Sequence, residues 1–395
     1  MKVLCITNLF PPAHEGGYEV ICAGAMRHLV RSGHDVLVVT ADRQPAAEDG
    51  DPRVGVRREL RLQSRNGWRQ MTLRERYALE RHNHRVFMRA VADHQPDLVT
   101  WWNMSGVSLG LLQRAARLGL PGLAMVCDWW PSYARSVDRW TETWSRHRWL
   151  RLPVERLSGL PTHPDVKSAT DWAFISDHVR DQLLGGSLAG QDGPILRAGY
   201  DEELFRPREP RNIWDQRLLF VGRISPEKGV DTAIRTLAAL PESYELSVIG
   251  GGGIAEFNDE VASLITELDL RERVHWHGLV DRAELPRHFA AADALLFPIR
   301  WPEPWGLVPL EALAVGVPVI GTISGGAGEY LQGDRNCLSC RSDDPDQIAE
   351  AVRRLAGCEQ LRDGLREEGL ATAARHTSAQ FEVAFEDLCL DTVAS

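Results

Sequence analysis

The chain is short of lysine. Only Lys2, Lys167 and Lys228 occur among 45 basic residues, the rest being arginine. We read this as the coding bias of a GC-rich source, against which a functional lysine stands out. Long apolar runs are missing too: none approaches the about 20 residues that a bilayer-spanning helix needs. The opening MKVLCITNLFPP is too short and too strand-like for a signal peptide. An excess of positive charge is absent. The formal net charge is −10 and the pI about 5.7, which argues against a nucleic-acid binder with its basic face. Cysteine is sparse, and its seven copies are scattered and odd in number, so a disulfide framework is not expected and a reducing cytoplasm is. Cys337 and Cys340 form a lone CxxC with no second Cys or His pair to complete a zinc site, and read as structural. GxGxxG is lacking after the first strand, which removes the dinucleotide fingerprint. Low-complexity tracts and short-period repeats are also missing.

What is present fills 395 residues, enough for two cores. Apolar content of 44% and charged content of 25% suit a globular protein in water. KVLCIT (Lys2 to Thr7) predicts a strand. After it come FPPAHEGG, a helix from about Tyr18 to Arg31 ended by Gly33, and a strand DVLVVT (Asp35 to Thr40). Strand, glycine loop, helix, strand opens a doubly wound α/β domain. Residues 43 to 95 are less regular. They include an arginine-rich stretch from Arg57 to Arg89, with a helix from about Leu73 to Val91 whose arginines read as a solvated face rather than a lipid or acceptor surface. Further strands are expected at Asp97 to Trp102, Leu123 to Cys127, Trp172 to Ser176 and Pro194 to Arg197, and a helix at Leu111 to Leu118. Seven of the thirteen tryptophans fall between Trp101 and Trp149. At least half read as core, the others as stacking or acceptor-lining groups. Asp201 to Arg211, charged and proline-bearing, reads as the linker.

A second α/β series follows. Strands are expected at Arg217 to Val221, Glu245 to Ile249, Val274 to His277 and Ala294 to Phe297. Helices are expected at Val230 to Leu240, Val261 to Leu268, Glu284 to Ala291, Pro345 to Leu355 and Gln360 to Arg375. A last amphipathic helix runs from about Ser378 to Asp391. The expected architecture is two similar Rossmann-like domains, 1–200 and 201–375, facing each other across a cleft. The helix at about 376–395 would pack back onto the first.

Two stretches carry chemistry. In LFVGRISPEKG (Leu219 to Gly229) a strand ends at Val221, and Gly222 releases Arg223 into the open. Ser225 is a candidate N-cap before Pro226 and Glu227. Arg223 and Lys228, beside a helix start, suit a diphosphate. The second stretch, PIRWPEPWGLVPLEALAVGVPVIGTISGGAGE (Pro298 to Glu329), reads as strand end, loop, helix start, strand and glycine loop. Its carboxylates Glu303 and Glu311 stand eight positions apart, with Gly306 between them. Gly16 and Gly17, beside a helix N-terminus, suit close approach of an anion about as well as a plain tight turn. Asp128 follows a strand at the end where open α/β sheets place ligand groups. It reads equally as a catalytic or acceptor residue and as a structural turn. Asp344-Pro345-Asp346 matches a DxD metal pattern formally but sits at a helix start, where aspartate caps.

These blocks resemble a family. GRISPEKG, the run Gly250 to Gly253, HWHGLV (His275 to Val280) and EPWGLVPLEALAVGVPVIGTISGGAGE are similar to the carboxyl-terminal domain of the family 4 retaining glycosyltransferases, of GT-B fold, with an E-x7-E pair at Glu303 and Glu311. FPPAHEGG, RSGHDVLVVT, FISDHV and GYDEELFRP agree in the other half. The resemblance implies a nucleoside-diphosphate sugar, UDP-linked for preference, as co-substrate. No other cofactor and no metal are implied, and a hexose would pass to a small-molecule, glycan or lipid-linked acceptor. Arg223 and Lys228 would hold the diphosphate, Glu303 the sugar hydroxyls and Glu311 the ribose. Backbone N–H groups of Gly306, Leu307 and Val308 would meet phosphate and sugar. Val280 would lie at the base, and Gly16 and Gly17 would approach the phosphate from the other domain. One departure stands out: the family often carries His-Asp where this chain has Cys127-Asp128. A sugar-nucleotide epimerase and a non-catalytic sugar-nucleotide-binding protein are the competing expectations. Membrane contact is expected to be peripheral at most, and nucleic acid is not expected as a partner.

Overall fold

Leucine, valine and isoleucine runs of four to seven residues make the strands. Those at Lys2–Ile6, Asp35–Ala41, Leu98–Trp101 and Gly122–Val126 are buried along nearly their whole length, as parallel strands covered on both faces must be. The computed structural model describes residues 1–13, 16–42, 53–63, 71–209 and 213–395. His14 and Glu15 of the first glycine loop and Arg211 at the end of the expected linker lie outside them. The chain divides into two units, Met1–Arg197 with Phe381–Ser395, and Ala198–Gln380.

The first unit holds β1 (Lys2–Ile6), α1 (Gly17–Arg31), β2 (Asp35–Ala41), β3 (Gly55–Leu60), α2 (Leu73–His94), β4 (Leu98–Trp101), α3 (Gly110–Arg117) and β5 (Gly122–Val126). It continues with α4 (Trp130–Val137), α5 (Arg139–Arg146), α6 (Arg151–Ser158), β6 (Asp171–Phe174) and α7 (Asp177–Leu184). The sheet order is β3-β2-β1-β4-β5-β6, all parallel. This is the doubly wound order with its switch point between β1 and β4.

The second unit holds β7 (Arg217–Val221), α8 (Val230–Ala238), β8 (Glu245–Ile249), α9 (Ala255–Glu267), β9 (Val274–Gly278), α10 (Leu285–Ala291) and β10 (Ala294–Phe297). After them come α11 (Leu307–Val315), β11 (Val319–Gly321), β12 (Leu338–Ser339), α12 (Pro345–Gly357) and α13 (Glu359–Ala373). Its order, β12-β11-β10-β7-β8-β9, is the same topology read from the other edge, with the switch point between β7 and β10. Each unit is therefore Rossmann-like, and together they have the GT-B fold.

Several expectations need correction. Pro194 to Arg197 is not a strand. It makes one isolated bridge, Phe174 to Ile195, because Pro194 has no N–H to continue a ladder. Within the expected linker, residues 201–209 pack onto the second unit. Phe205 is fully buried against Phe289, and Arg208 donates to the carbonyls of Ala290 and Ala292 at 2.7 Å each. The edge strand β3 and the helices α4 to α6 were not foreseen. Of the seven clustered tryptophans, Trp101, Trp102, Trp130, Trp140 and Trp144 are buried, so most serve the core.

On α2, Arg74, Arg81, Arg85 and Arg89 are exposed while Leu79, Val86 and Phe87 are buried. The last helix, α14 (Ser378–Ala394), contributes Phe381 onward to the first unit. There Phe385 packs on Trp102, and Glu386 accepts from His28 at 2.7 Å and His34 at 2.8 Å. Asp344 caps α12 through the Gln347 N–H at 3.0 Å, as its position at the helix start suggested. Cys337 and Cys340 are buried free thiols, pushed up by burial to about 12 and about 11, far from reactive thiolates.

Candidate active site

The switch point of the second sheet is where its charged side chains gather. The loop after β7 and the loop after β10 leave adjacent strands at their carboxyl ends. From the first comes Lys228 and from the second Glu303. Lys228 Nζ donates to Glu303 Oε2 at 2.6 Å, and Trp301 Nε1 donates to the same oxygen at 2.8 Å. The ammonium also lies 5.3 Å from the Trp301 ring centroid. The two residues assigned from sequence to separate phosphate and sugar duties are thus one ion pair. Arg223 stands exposed on the same β7 loop.

Arg300 ties these loops together. Its guanidinium forks onto Asp231 at 2.9 and 2.6 Å, also binds Asp343, and donates to the Pro226 carbonyl at 2.8 Å. Its own N–H donates to the Glu227 carbonyl at 2.9 Å. Ser225 does not act as the expected side-chain cap. Pro226 to Lys228 form a single 3-10 turn, and the Ser225 hydroxyl is buried without a hydrogen-bond partner. The helix proper starts at Val230.

Glu303 is held in place through its backbone. The Gly326 N–H donates to the Glu303 carbonyl at 2.6 Å, and Gly325 forms a bridge with Glu303. Gly325 has φ of +63°, and a Cβ there would lie 2.3 Å from the Glu303 oxygen. Only glycine allows that approach. Gly306 precedes α11 at φ of +86°, and Tyr330 Oη donates to its carbonyl at 2.5 Å. The Tyr330 hydroxyl is pushed well up, by burial first and then by the charge of Glu303, Cys337 and Glu311. No side chain caps α11, so the N–H groups of Leu307 and Val308 at its start have no intrahelical acceptor. Both residues are half-buried.

Glu311, one turn into α11, is 2% exposed and accepts from Arg282 Nη2 at 2.8 Å. Arg282 in turn lies over the Phe205 ring at 5.3 Å. Val280, two residues earlier, is half-buried after β9. The sequence singled out neither Arg282 nor Arg300, Trp301 or Tyr330. Trp301 had a findable signal, since it stands two positions before Glu303. Arg282 had none, because one arginine among so many carries no mark.

In the first unit the picked residues are turned toward their own backbone. Asp128 Oδ1 accepts from the Trp130 N–H and Oδ2 from Tyr133 Oη, both at 2.8 Å. Burial raises its carboxyl, and those two bonds partly offset the rise. The geometry favours the structural-turn reading of Asp128. Cys127 is buried, and burial first and then the charge of Asp128 push its thiol well up, toward the neutral form. Tyr18 Oη donates to the Met125 carbonyl at 2.6 Å beside it. Gly16 is extended and exposed, with open space where a Cβ would stand, and its N–H donates to Glu19 at 3.1 Å. Gly17 opens α1 and is exposed. Among the described residues no group of His, Cys, Asp and Glu has the arrangement of a metal site.

Chemically, the second switch point offers a lysine, an exposed arginine and an open helix N-terminus to an anion. It offers two carboxylates to hydroxyl donors. The family model "Glycosyl transferases group 1" matches residues 201–371, the part of the chain that carries this site. The chain is 28% identical over 376 residues to the GDP-mannose-dependent alpha-(1-6)-phosphatidylinositol monomannoside mannosyltransferase of Mycobacterium tuberculosis, covering 90% of this chain and 89% of that one. Among solved structures, sucrose-phosphate synthase from Thermosynechococcus elongatus aligns with a TM-score of 0.76 at 18% identity, over 100% of this chain and 99% of the other. Anabaena HepE in complex with UDP-glucose aligns with a TM-score of 0.71 at 18% identity, over 98% and 99%. The structural likenesses establish the fold. The sequence likeness over nearly the full length supports a glycosyltransferase.

Proposed function

We propose that the protein is a retaining, metal-independent glycosyltransferase of family 4 type that moves a hexose from a nucleoside diphosphate to a hydroxyl acceptor. The observation that carries this is the Lys228–Glu303 pair at the second switch point, one loop from the uncapped start of α11. Departure of the diphosphate develops negative charge. Lys228, Arg223 and the Leu307 and Val308 N–H groups are preorganised donors for it, the largest type of electrostatic contribution to such a step. Glu303 orients the sugar through its hydroxyls, and Glu311, paired with Arg282, accepts from the ribose. Val280 meets the base. Gly16 and Gly17, at the start of α1, serve the phosphate. The leaving diphosphate receives the acceptor's proton, so no side chain of the first unit is needed as a base. That accords with Asp128 and Cys127 being occupied or inert. The sugar nucleotide is the only co-substrate besides the acceptor, and no cofactor takes part.

The M. tuberculosis relative is named for GDP-mannose and a phosphatidylinositol mannoside, and the Anabaena structure holds UDP-glucose. Diphosphate and ribose are common to both donors, so the residues above serve either. We keep UDP-sugars as the first donors to try and GDP-mannose as the second, with a glycan, lipid-linked or small-molecule acceptor.

Slow transfer to water tests the proposal without knowledge of the acceptor. The protein is incubated with each sugar nucleotide, and the released sugar is followed by proton NMR. Release with the donor's anomeric configuration, abolished in Glu303→Ala, is the expected result. Initial release of the inverted anomer would overturn retention. Conversion to an epimeric sugar nucleotide would replace transfer by isomerisation.

A further inference from the structure

α6 has the wrong side facing out. A surface helix ordinarily buries its apolar stripe and exposes charge. Here Leu150 and Val154 on the inner side pack against the small cluster of Trp140, Trp144 and Leu160. The outer side, at helical spacing, consists of Trp149, Leu152, Pro153, Arg156 and Leu157, every one exposed. Trp149 is 77%, Leu152 69% and Leu157 90% exposed, and none of them touches that cluster's core. The helix is therefore apolar on both faces.

Its charge is also unlike that of the whole molecule. The chain carries −10. The stretch from 147 to 157 contains Arg148, Arg151 and Arg156 against the single acid Glu155, which is already held by Arg117 at 2.6 Å, while Arg146 just before it pairs with Glu142 at 3.0 Å. The local field is felt nearby: His163 is lowered, by burial first and then by Arg151, Arg135 and Arg148.

We propose that α6 and the turn before it dock on an anionic lipid surface, with Trp149, Leu152 and Leu157 entering the headgroup region and Arg148 and Arg156 meeting lipid phosphates. Tryptophan and leucine on one face with arginine at its border is the composition of an interfacial helix. Three apolar side chains on two helical turns fall well short of the roughly 800 Å² per partner that a specific protein interface buries. A bilayer needs no such area, because each residue partitions on its own and basic groups add attraction to anionic headgroups. The surface is independent of the donor site, and the inference stands apart from the reading of that site.

Co-sedimentation with vesicles is the test, comparing phosphatidylcholine alone with phosphatidylcholine mixed with phosphatidylglycerol. Binding is expected to the mixed vesicles, weakening as salt is raised. Trp149→Ser with Leu157→Ser should lower the partition coefficient by about tenfold or more. Arg148→Ala with Arg156→Ala should lower it by about fivefold per arginine. All four positions are exposed, and an unchanged thermal midpoint verifies the fold. If the serine variant unfolds, the arginine variant decides alone. Absence of binding to the mixed vesicles would overturn the proposal. So would equal binding by the variants, or a concentration-dependent self-association that the same substitutions abolish, which would make the face an interface between copies of this chain.

Discussion

At the carboxyl ends of β7 and β10, opposite charges meet across 75 positions of sequence, Lys228 to Glu303. At the matching end of the first sheet the polar side chains that directly follow β1, β4 and β5 bond within their own turns. Asn8 accepts from the Leu9 N–H at 2.6 Å, Asn103 from the Ser105 N–H at 3.0 Å, and Asp128 from the Trp130 N–H at 2.8 Å. Both sheets have one topology and one kind of switch point. The difference is that the second site is cross-linked loop to loop by side-chain charge, through Lys228, Arg300 and Arg282. In the first, the turns after β1, β4 and β5 close on themselves, and the charged side chain that crosses between loops, Arg58, goes to backbone carbonyls, those of Phe10 and Pro11, at 2.9 and 2.5 Å. A charged, preorganised edge suits a ligand part that is constant, such as a nucleoside diphosphate. A self-satisfied edge suits a partner that varies.

The contrast can be broken from its strong side first. Lys228→Ala removes a cation aimed at the leaving group and leaves Glu303, 9% exposed, without its ion-pair partner. Turnover should fall about 10²- to 10³-fold, the scale for one preorganised charge-stabilising donor, as measured by single-turnover release of the nucleoside diphosphate. Gly325→Ala is next. A Cβ would meet the Glu303 backbone at 2.3 and 2.7 Å, and the left-handed φ adds strain. A loss of about 2–3 kcal/mol is expected, read as a fall in the second unit's urea midpoint together with weakened donor binding.

The third prediction concerns a buried acid in the first unit. Asp138, 1% exposed, is pushed up to about 7 by burial and by Glu80, despite N–H bonds from Thr141 and Leu109 and a bond from Gln63. Its carboxyl is protonated in the fold and ionised when unfolded across about pH 4 to 7. The unfolded state binds fewer protons there, so this residue's contribution to stability falls as pH rises through that window and is flat above it. Asp138→Asn should remove that one-proton slope from urea midpoints measured between pH 5 and 8. An unchanged slope would refute the assignment. The smallest effect is expected from Asp128→Asn. An amide keeps an oxygen for the Trp130 N–H, so stability should shift by under about 1 kcal/mol and turnover should stay within a few-fold. A large fall in turnover with intact stability would restore Asp128 as a catalytic residue and erase the contrast.

Much of this layout was readable from residues alone, and the reasons differ by element. Buried parallel strands such as LVTW and ALLF are continuous apolar runs with no competing interpretation. The edge strand GVRREL escaped because its exposed side carries arginine and glutamate, which read as irregular polar chain. α4 to α6 escaped because each is only eight residues long, little more than two turns in which to show a helical period. In the site, Glu303, Glu311, Arg223 and Lys228 were singled out, but the pairing of Lys228 with Glu303 was not. Nothing in spacing says that two loops 75 positions apart leave neighbouring strands. Arg282 was hidden for the same reason, 29 positions from Glu311. Sequence shows which residue types a loop offers, while charge pairing between loops depends on strand order.

The central claim is that the second unit's switch point binds the diphosphate of a sugar nucleotide. It is tested most directly by titrating UDP-glucose and GDP-mannose into the wild type, Lys228→Ala and Asp128→Asn and following the thermal midpoint. Binding to the native state alone raises that midpoint by mass action. The account predicts a concentration-dependent rise with at least one donor, reproduced by Asp128→Asn and weakened about tenfold or more in Lys228→Ala, as for a lost charge-assisted contact. A flat midpoint with both donors, or a rise that survives Lys228→Ala and vanishes in Asp128→Asn, would contradict it.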